Sequence, residues 1–171
     1  MTFTDYLTYK AHPGFEDELI HGEIRLSPSA KAEHQEIRKR LERLLDAVIS
    51  SAFTQRDTTI YVAGEEGQRP DVFVIRKDRW NQARRSVLGY PVGVPELVIE
   101  IRSASNSDPE LEQKRSIYCS DARCLAFWLV NPEAKAVSVL TASASPRLLL
   151  GHSLDLPAEI GGSLSVKDIF E

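Results

Sequence analysis

Over residues 31–51 the apolar positions Ile37, Leu41, Leu44, Leu45 and Val48 recur at three- and four-residue steps, with the charges elsewhere, which predicts one long amphipathic helix. Most other apolar residues fall in short runs that read as strands. Two of these flank the turn at His21-Gly22, with Pro28 ending the second. A strand is expected over residues 54–62, then a turn at 64–67, and further strands at 71–75 and 96–102. Residues 4–14 read as a short helix ending at His12-Pro13-Gly14, and residues 76–93 as polar and irregular with one helical turn.

Asn106-Ser107-Asp108-Pro109 has the chemistry of a helix start, with proline in the first turn, and the helix should run to about Ser120. Two apolar runs around Asn131-Pro132-Glu133 predict a hairpin, and a strand at 147–150 and a short turn at 166–170 finish the chain. Helices alternating with strands in this order predict an α/β (α+β) fold, a mixed sheet with helices on its faces. The length fits one domain over residues 1–171.

One strand carries a chemical anomaly. The run VPELVIEIRS, residues 94–103, is apolar at Val94, Leu97, Val98, Ile99 and Ile101, yet Glu100 lies near its middle. Burying an ionised carboxylate costs several kcal/mol unless something compensates it. Side chains alternate along a strand, so Glu96, Val98, Glu100 and Arg102 share one face, and Asp71, Phe73 and Ile75 share a face of the preceding strand. If the two strands are neighbours, Asp71 and Glu100 converge at one end of the sheet. Two close carboxylates repel, and a divalent cation with hard oxygen ligands, Mg²⁺ or Mn²⁺, removes the repulsion. On the helix that follows, Leu111, Lys114 and Tyr118 form one stripe, which aims the Lys114 ammonium at the same place.

Composition narrows the classes. A net charge of −4 argues against a protein that coats nucleic acid without specificity, but not against a nuclease, whose acids are concentrated in one place. Basic clusters at Arg38, Lys39, Arg40 and Arg43, and at Arg76, Lys77, Arg79, Arg84 and Arg85, read either as solvated surface or as contacts to a phosphate backbone. Cys119 and Cys124 are the only cysteines and make neither a disulfide framework nor a zinc pattern with histidines. A reduced, cytoplasmic setting is expected, and no run reaches the roughly 20 apolar residues of a membrane span.

Several segments, taken in order, resemble the Uma-two restriction-endonuclease family of the PD-(D/E)XK nuclease superfamily. They are residues 15–23; Ser27-Pro28 followed by His34 on a helix; Pro70-Asp71-Val72; residues 95–101 followed by Ser103; Asp108, Lys114 and Tyr118; and Trp128-Leu129-Val130-Asn131-Pro132. The resemblance implies a restriction-endonuclease-like central mixed β-sheet flanked by helices, with an N-terminal strand pair and a C-terminal hairpin. It implies a metal-dependent nuclease in which Asp71 and Glu100 are ligands. The parent superfamily has a lysine two residues after the second acid. Here Arg102 stands there, always protonated and unable to act as a base, and Lys114 from the helix matches the family's alternative. The run Ser103-Ala104-Ser105-Asn106 departs from the family's usual loop.

The expected activity is therefore divalent-metal-dependent hydrolysis of DNA phosphodiester bonds. Asp71, Glu100 and the Ile101 carbonyl would hold Mg²⁺ or Mn²⁺, and Lys114 would orient water or stabilise the phosphorane-like state. Arg38, Lys39, Arg43, Arg84 and Arg85 are the candidate DNA contacts. Glu23 is kept, ahead of Glu18, as an accessory acid. Arg102 would bind phosphate or neutralise Glu96. Tyr118 reads as a core residue with its hydroxyl near the site, and His34 as a capping or surface histidine with a site role as the sharper alternative. DNA is the expected partner, with a homodimer as a further candidate and no membrane. Two other readings stay open: a catalytically inactive nuclease-fold module in which the acids pair with Arg102 and Lys114, and a phosphohydrolase of small nucleotides.

Overall fold

The structure, a computed structural model, describes residues 1–10, 13–62, 64, 66–103, 106–141, 144–150 and 152–171, with the backbone alone at 144–146. From the N-terminus, α1 (Phe3–Tyr6) precedes the hairpin β1 (Phe15–Ile20) and β2 (Glu23–Pro28). Then come α2 (Ala32–Val48), β3 (Ala52–Arg56), β4 (Ile60–Val62), β5 (Glu66–Gln68), β6 (Val72–Arg76) and α3 (Lys77–Arg85). The second half holds β7 (Leu97–Ile101), α4 (Asp108–Cys119), β8 (Ala126–Asn131), β9 (Ala136–Thr141), β10 (Ala144–Leu150), β11 (Ser153–Asp155), β12 (Ser163–Ser165) and α5 (Val166–Phe170).

A six-stranded sheet in the order β10-β9-β8-β7-β6-β3 is the centre of the molecule. Only β7 and β8 run parallel; the other neighbours are antiparallel, so the sheet is mixed. Period-2 alternation sends Val72, Val74, Leu97, Ile99 and Ile101 to one face, where Ile37, Leu41 and Leu45 of α2 and Val166 and Ile169 of α5 cover them. Phe73, Ile75 and Val98 go to the other, against Tyr118 of α4 and Trp80 of α3. Both faces are covered, so the central strands read as near-continuous apolar runs.

A second sheet, β2-β1-β5-β4, carries the N-terminal strand pair. Its hairpin turns at His21 (φ 51°) and Gly22 (φ 77°), the two positive dihedrals of a two-residue type I′ turn. α4 begins as its sequence predicts: Ser107 is the N-cap in a reciprocal capping box with Glu110, and Pro109 sits in the first turn.

Some boundaries differ from the expectation. The strand foreseen over 54–62 is two strands in two sheets, because Asp57 takes a positive φ of 53° and redirects the chain. Gly67, expected in a turn, lies in β5 and pairs with Leu19 and Tyr61. The irregular stretch 76–93 contains the nine-residue α3. The first helix stops at Tyr6, and the C-terminal pair β11 and β12 was not foreseen. His12, Glu65, Ala104 and Ser105, which belonged to the expected helix end, turn and loop, lie outside the described residues.

Candidate active site

β6 and β7 pair antiparallel with Val72 opposite Ile99, a register that sets Asp71 opposite Glu100 just beyond the last paired residues. Asp71 Oδ2 accepts the Ile101 backbone N–H at 2.7 Å, so the carboxylate extends the strand pairing by one bond. Around Glu100, the Tyr118 hydroxyl donates to Oε1 at 3.1 Å and Lys114 Nζ lies 3.3–3.4 Å from the two oxygens. Lys114 also reaches Glu18 Oε2 at 2.9 Å. Both acids line one cavity of about 890 Å³ between the N-terminal hairpin, α2 and the loop after β7.

The electrostatics of the two acids differ in sign. Burial pushes the Glu100 carboxyl up to about 8; Lys114 opposes the shift, and the charges of Asp71 and Glu18 reinforce it. Burial acts on Asp71 in the same direction, but the His34 hydrogen bond, the Arg38 charge and the Ile101 N–H outweigh it and hold Asp71 below the usual carboxylate range. Burial would lower Lys114, yet Glu100 and Glu18 keep it raised and charged. Two buried carboxylates at neighbouring strand ends, shifted in opposite directions, mark this cavity as the candidate functional site.

Arg38 is the hub on the Asp71 side. The residue is 3% exposed, and its guanidinium bonds Asp71 through Nε at 2.8 Å and through a second nitrogen, Asp57 at 2.6 Å, and Glu16 at 3.3–3.4 Å. The expectation that Arg38 is a surface contact to DNA is thereby corrected: its five donors are turned inward onto acids. His34, one helical turn earlier, is also buried rather than capping or on the surface. Its Nε2 lies 3.1 Å from Ile101 O and 3.3 Å from Asp71 Oδ2. Both neighbours can only accept, so Nε2 carries the proton. Nδ1 is buried without a hydrogen-bond partner among the described residues.

Other expected residues fall elsewhere. Glu23 is exposed at the turn end of the hairpin, and Glu18, which pairs with Arg25 nearer the hairpin's open end, supplies the third acid instead. Arg102 does not neutralise Glu96; it pairs with Asp108 at the start of α4, while Glu96 is held by Arg79 at 2.9 Å and the Arg76 N–H at 3.1 Å. Lys39 and Arg43 are exposed on the solvent side of α2. Arg84 and Arg85 end α3, which starts at the far end of β6 from Asp71, and neither lines the cavity that holds the acids. The structure does not bring them to the acids. Tyr118 is fully buried with its hydroxyl on Glu100, as expected.

The mixed sheet with its covered faces, and a buried acid pair beside a lysine at one sheet end, define a nuclease-like fold with a candidate hydrolytic centre. The chain belongs to the Uma2 (Uma-two) family, whose model, described as "Putative restriction endonuclease", matches residues 3–167. A solved structure titled a "putative nuclease belonging to DUF820", from Anabaena variabilis ATCC 29413, superimposes with a TM-score of 0.81 at 20% identity, covering 99% of this chain and 97% of that one. It shares the fold. No curated protein matches the chain.

Proposed function

We propose that the protein is a divalent-metal-dependent endonuclease acting on DNA. The observation that carries this reading is the Asp71–Glu100 pair at adjacent strand ends, with Lys114 and Tyr118 on Glu100, inside a cavity wide enough for a phosphodiester. Membership of the family supports the nuclease class.

The residues fit a hard divalent cation in chemistry and charge. Asp57, Asp71, Glu16, Glu18 and Glu100 share the region, with Arg38, Arg56 and Lys114 as their arginine and lysine partners among the described residues, and burial keeps the proton on Glu100 up to about 8. Asp71, Glu100 and the Ile101 carbonyl would hold the ion. Among the described residues no three His, Cys, Asp or Glu side chains form a ready-made cage, so water and substrate oxygens would complete the shell. When bound, such an ion lowers the pKa of a water and polarises a phosphoryl oxygen.

The chain's own residues do the rest. Arg38 fixes the Asp71 carboxylate through Oδ1, and the Ile101 N–H fixes it through Oδ2. Tyr118 holds Glu100 Oε1 in place. Lys114, kept charged by Glu18 as well as Glu100, can turn toward the phosphate and stabilise negative charge as it develops there. Cleavage of duplex DNA in Mg²⁺ or Mn²⁺ tests the reading. Asp71→Asn and Glu100→Gln preserve shape, and each should reduce cleavage by about 100-fold or more, the scale of losing an electrostatic element of the reaction. Unchanged cleavage in both folded variants would reject the assignment.

One observation favours a second reading, a non-catalytic module. Asp71 and Glu100 each already have a cationic side chain of the protein as partner. In that case neither Mn²⁺ binding nor cleavage appears at millimolar metal.

A further inference from the structure

Five cationic side chains line the cavity: Lys31, Arg38, Arg69, Arg102 and Lys114. Arg38, Arg102 and Lys114 are committed to carboxylates of the chain. Lys31, exposed at the N-cap of α2, and Arg69 have no ion pair among the described residues. Of the two, only Arg69 is half-buried, and its Nε is shut off from solvent without a hydrogen-bond partner.

That is an unusual state for arginine. A buried donor left unmade costs roughly 1–3 kcal/mol, more when the group is charged. Chains with five acids nearby ordinarily satisfy such a group internally, as this one satisfies Arg38. The backbone does not leave Arg69 free to wander. Its N–H donates to Glu18 Oε1 at 2.9 Å, and buried Pro70 fixes the step to Asp71, two residues on. Arg69 is thus held between Glu18 and Asp71, at the wall of the cavity, with part of its fork unused.

The charge balance points to what completes it. A phosphodiester approaching Asp71 and Glu100 meets a surplus of carboxylate, and the Arg38 guanidinium is already spent on three acids. An anion needs a cation that is held in place but unpaired, and a planar guanidinium suits two phosphate oxygens at once. We propose that Arg69 is a phosphate-binding residue of the site, taking the non-bridging oxygens of the phosphodiester that lies against Asp71 and Glu100. The inference rests on the nuclease reading for the identity of the phosphodiester, but not for the anion site itself.

The test is binding of a fluorescein-labelled duplex oligonucleotide followed by anisotropy, with Ca²⁺ in place of Mg²⁺, across a salt series. Arg69→Gln should weaken binding at least about 10-fold and reduce the slope of log Kd against log salt by about one, the signature of one lost phosphate contact. Arg147→Gln, on the exposed edge strand β10 outside the cavity, is the matched-charge control and should leave affinity within about twofold of the wild type. Arg69→Lys keeps the charge and loses the fork, and should fall between. Binding by Arg69→Gln equal to the wild type, with the melting temperature unchanged, overturns the proposal. If Arg69→Gln does not fold, Arg69→Lys decides: several-fold weaker binding supports the proposal, and unchanged binding overturns it. Cleavage in Mg²⁺ separates the two claims. Wild-type protein that binds through Arg69 and does not cut overturns the nuclease reading and leaves the anion site. An Arg69→Gln variant that cuts with unaltered KM and kcat overturns the anion site and leaves the nuclease. A wild type that binds no duplex overturns both.

Discussion

Glu100 and Arg38 show how the surroundings of a side chain decide what it can do. Glu100 is 4% exposed and its carboxyl is pushed from an ordinary 4.5 to about 8. The unfolded chain ionises this group near 4.5, whereas the folded chain keeps the proton until about 8. Between those values the folded state binds more protons, so rising pH removes stability. The melting temperature should therefore fall between about pH 5 and about pH 8, and fall less in Glu100→Gln. Parallel curves for the two proteins would show that Glu100 is not the titrating group. Arg38 makes the opposite case, a buried cation holding three acids. Arg38→Met removes the cation the three acids share and should cost about 3–5 kcal/mol in denaturant unfolding. A loss below about 1 kcal/mol would mean that the cluster is solvated.

The sequence carried a signal for Arg38 that the apolar pattern hid. The buried positions of α2 are 34, 37, 38, 41 and 45, one continuous stripe in which His34 and Arg38 stand where core residues belong. Reading only apolar residues as the buried face assigned both to the surface. Glu18 and Glu23 could not be separated from sequence alone, because both face the same side of the hairpin; only the register of β1 against β5 decides which end meets α4.

Among the elements, α4 does the positioning for Glu100. It brings Leu111, Lys114 and Tyr118 under the sheet along one stripe, and its start is fixed by the Ser107–Glu110 capping box. This was readable because capping chemistry and helical spacing are local. Ser107→Ala should destabilise the protein by about 1 kcal/mol and loosen the first turn of α4; hydrogen exchange of the amides at residues 110 and 111 checks it, and unchanged protection would place the helix start under tertiary control. The pairing of β6 with β7 was legible as well, since both runs are short and apolar with an acid at one end. The split of residues 54–62 was not. It depends on one positive dihedral at Asp57, whose carboxylate is drawn to Arg38 and Arg56, a long-range contact that no local pattern displays. The nine residues of α3 are mostly exposed and charged, with Ala83 alone buried, so they offered little periodicity to read.

At the scale of the molecule, the charge is organised around one place. A chain with a net charge of −4 gathers Asp71, Glu100, Glu18, Glu16 and Asp57 around a cavity at one end of its central sheet. Arg38, Arg56 and Lys114 hold these acids, while Arg69, half-buried at the cavity wall, has no ion pair among the described residues. The expected second basic patch at Arg84 and Arg85 does not line the cavity, so substrate contacts there would have to come from the hairpin, α2 and the loop after β7. The decisive measurement is calorimetric titration of Mn²⁺ into the wild type and into the double variant Asp71→Asn, Glu100→Gln. The wild type should show a saturable Mn²⁺ site, with proton release on binding near pH 7 as Glu100 ionises, and the double variant should show no such site. Identical titrations for the two proteins, whether both bind or neither does, would contradict a metal site on Asp71 and Glu100.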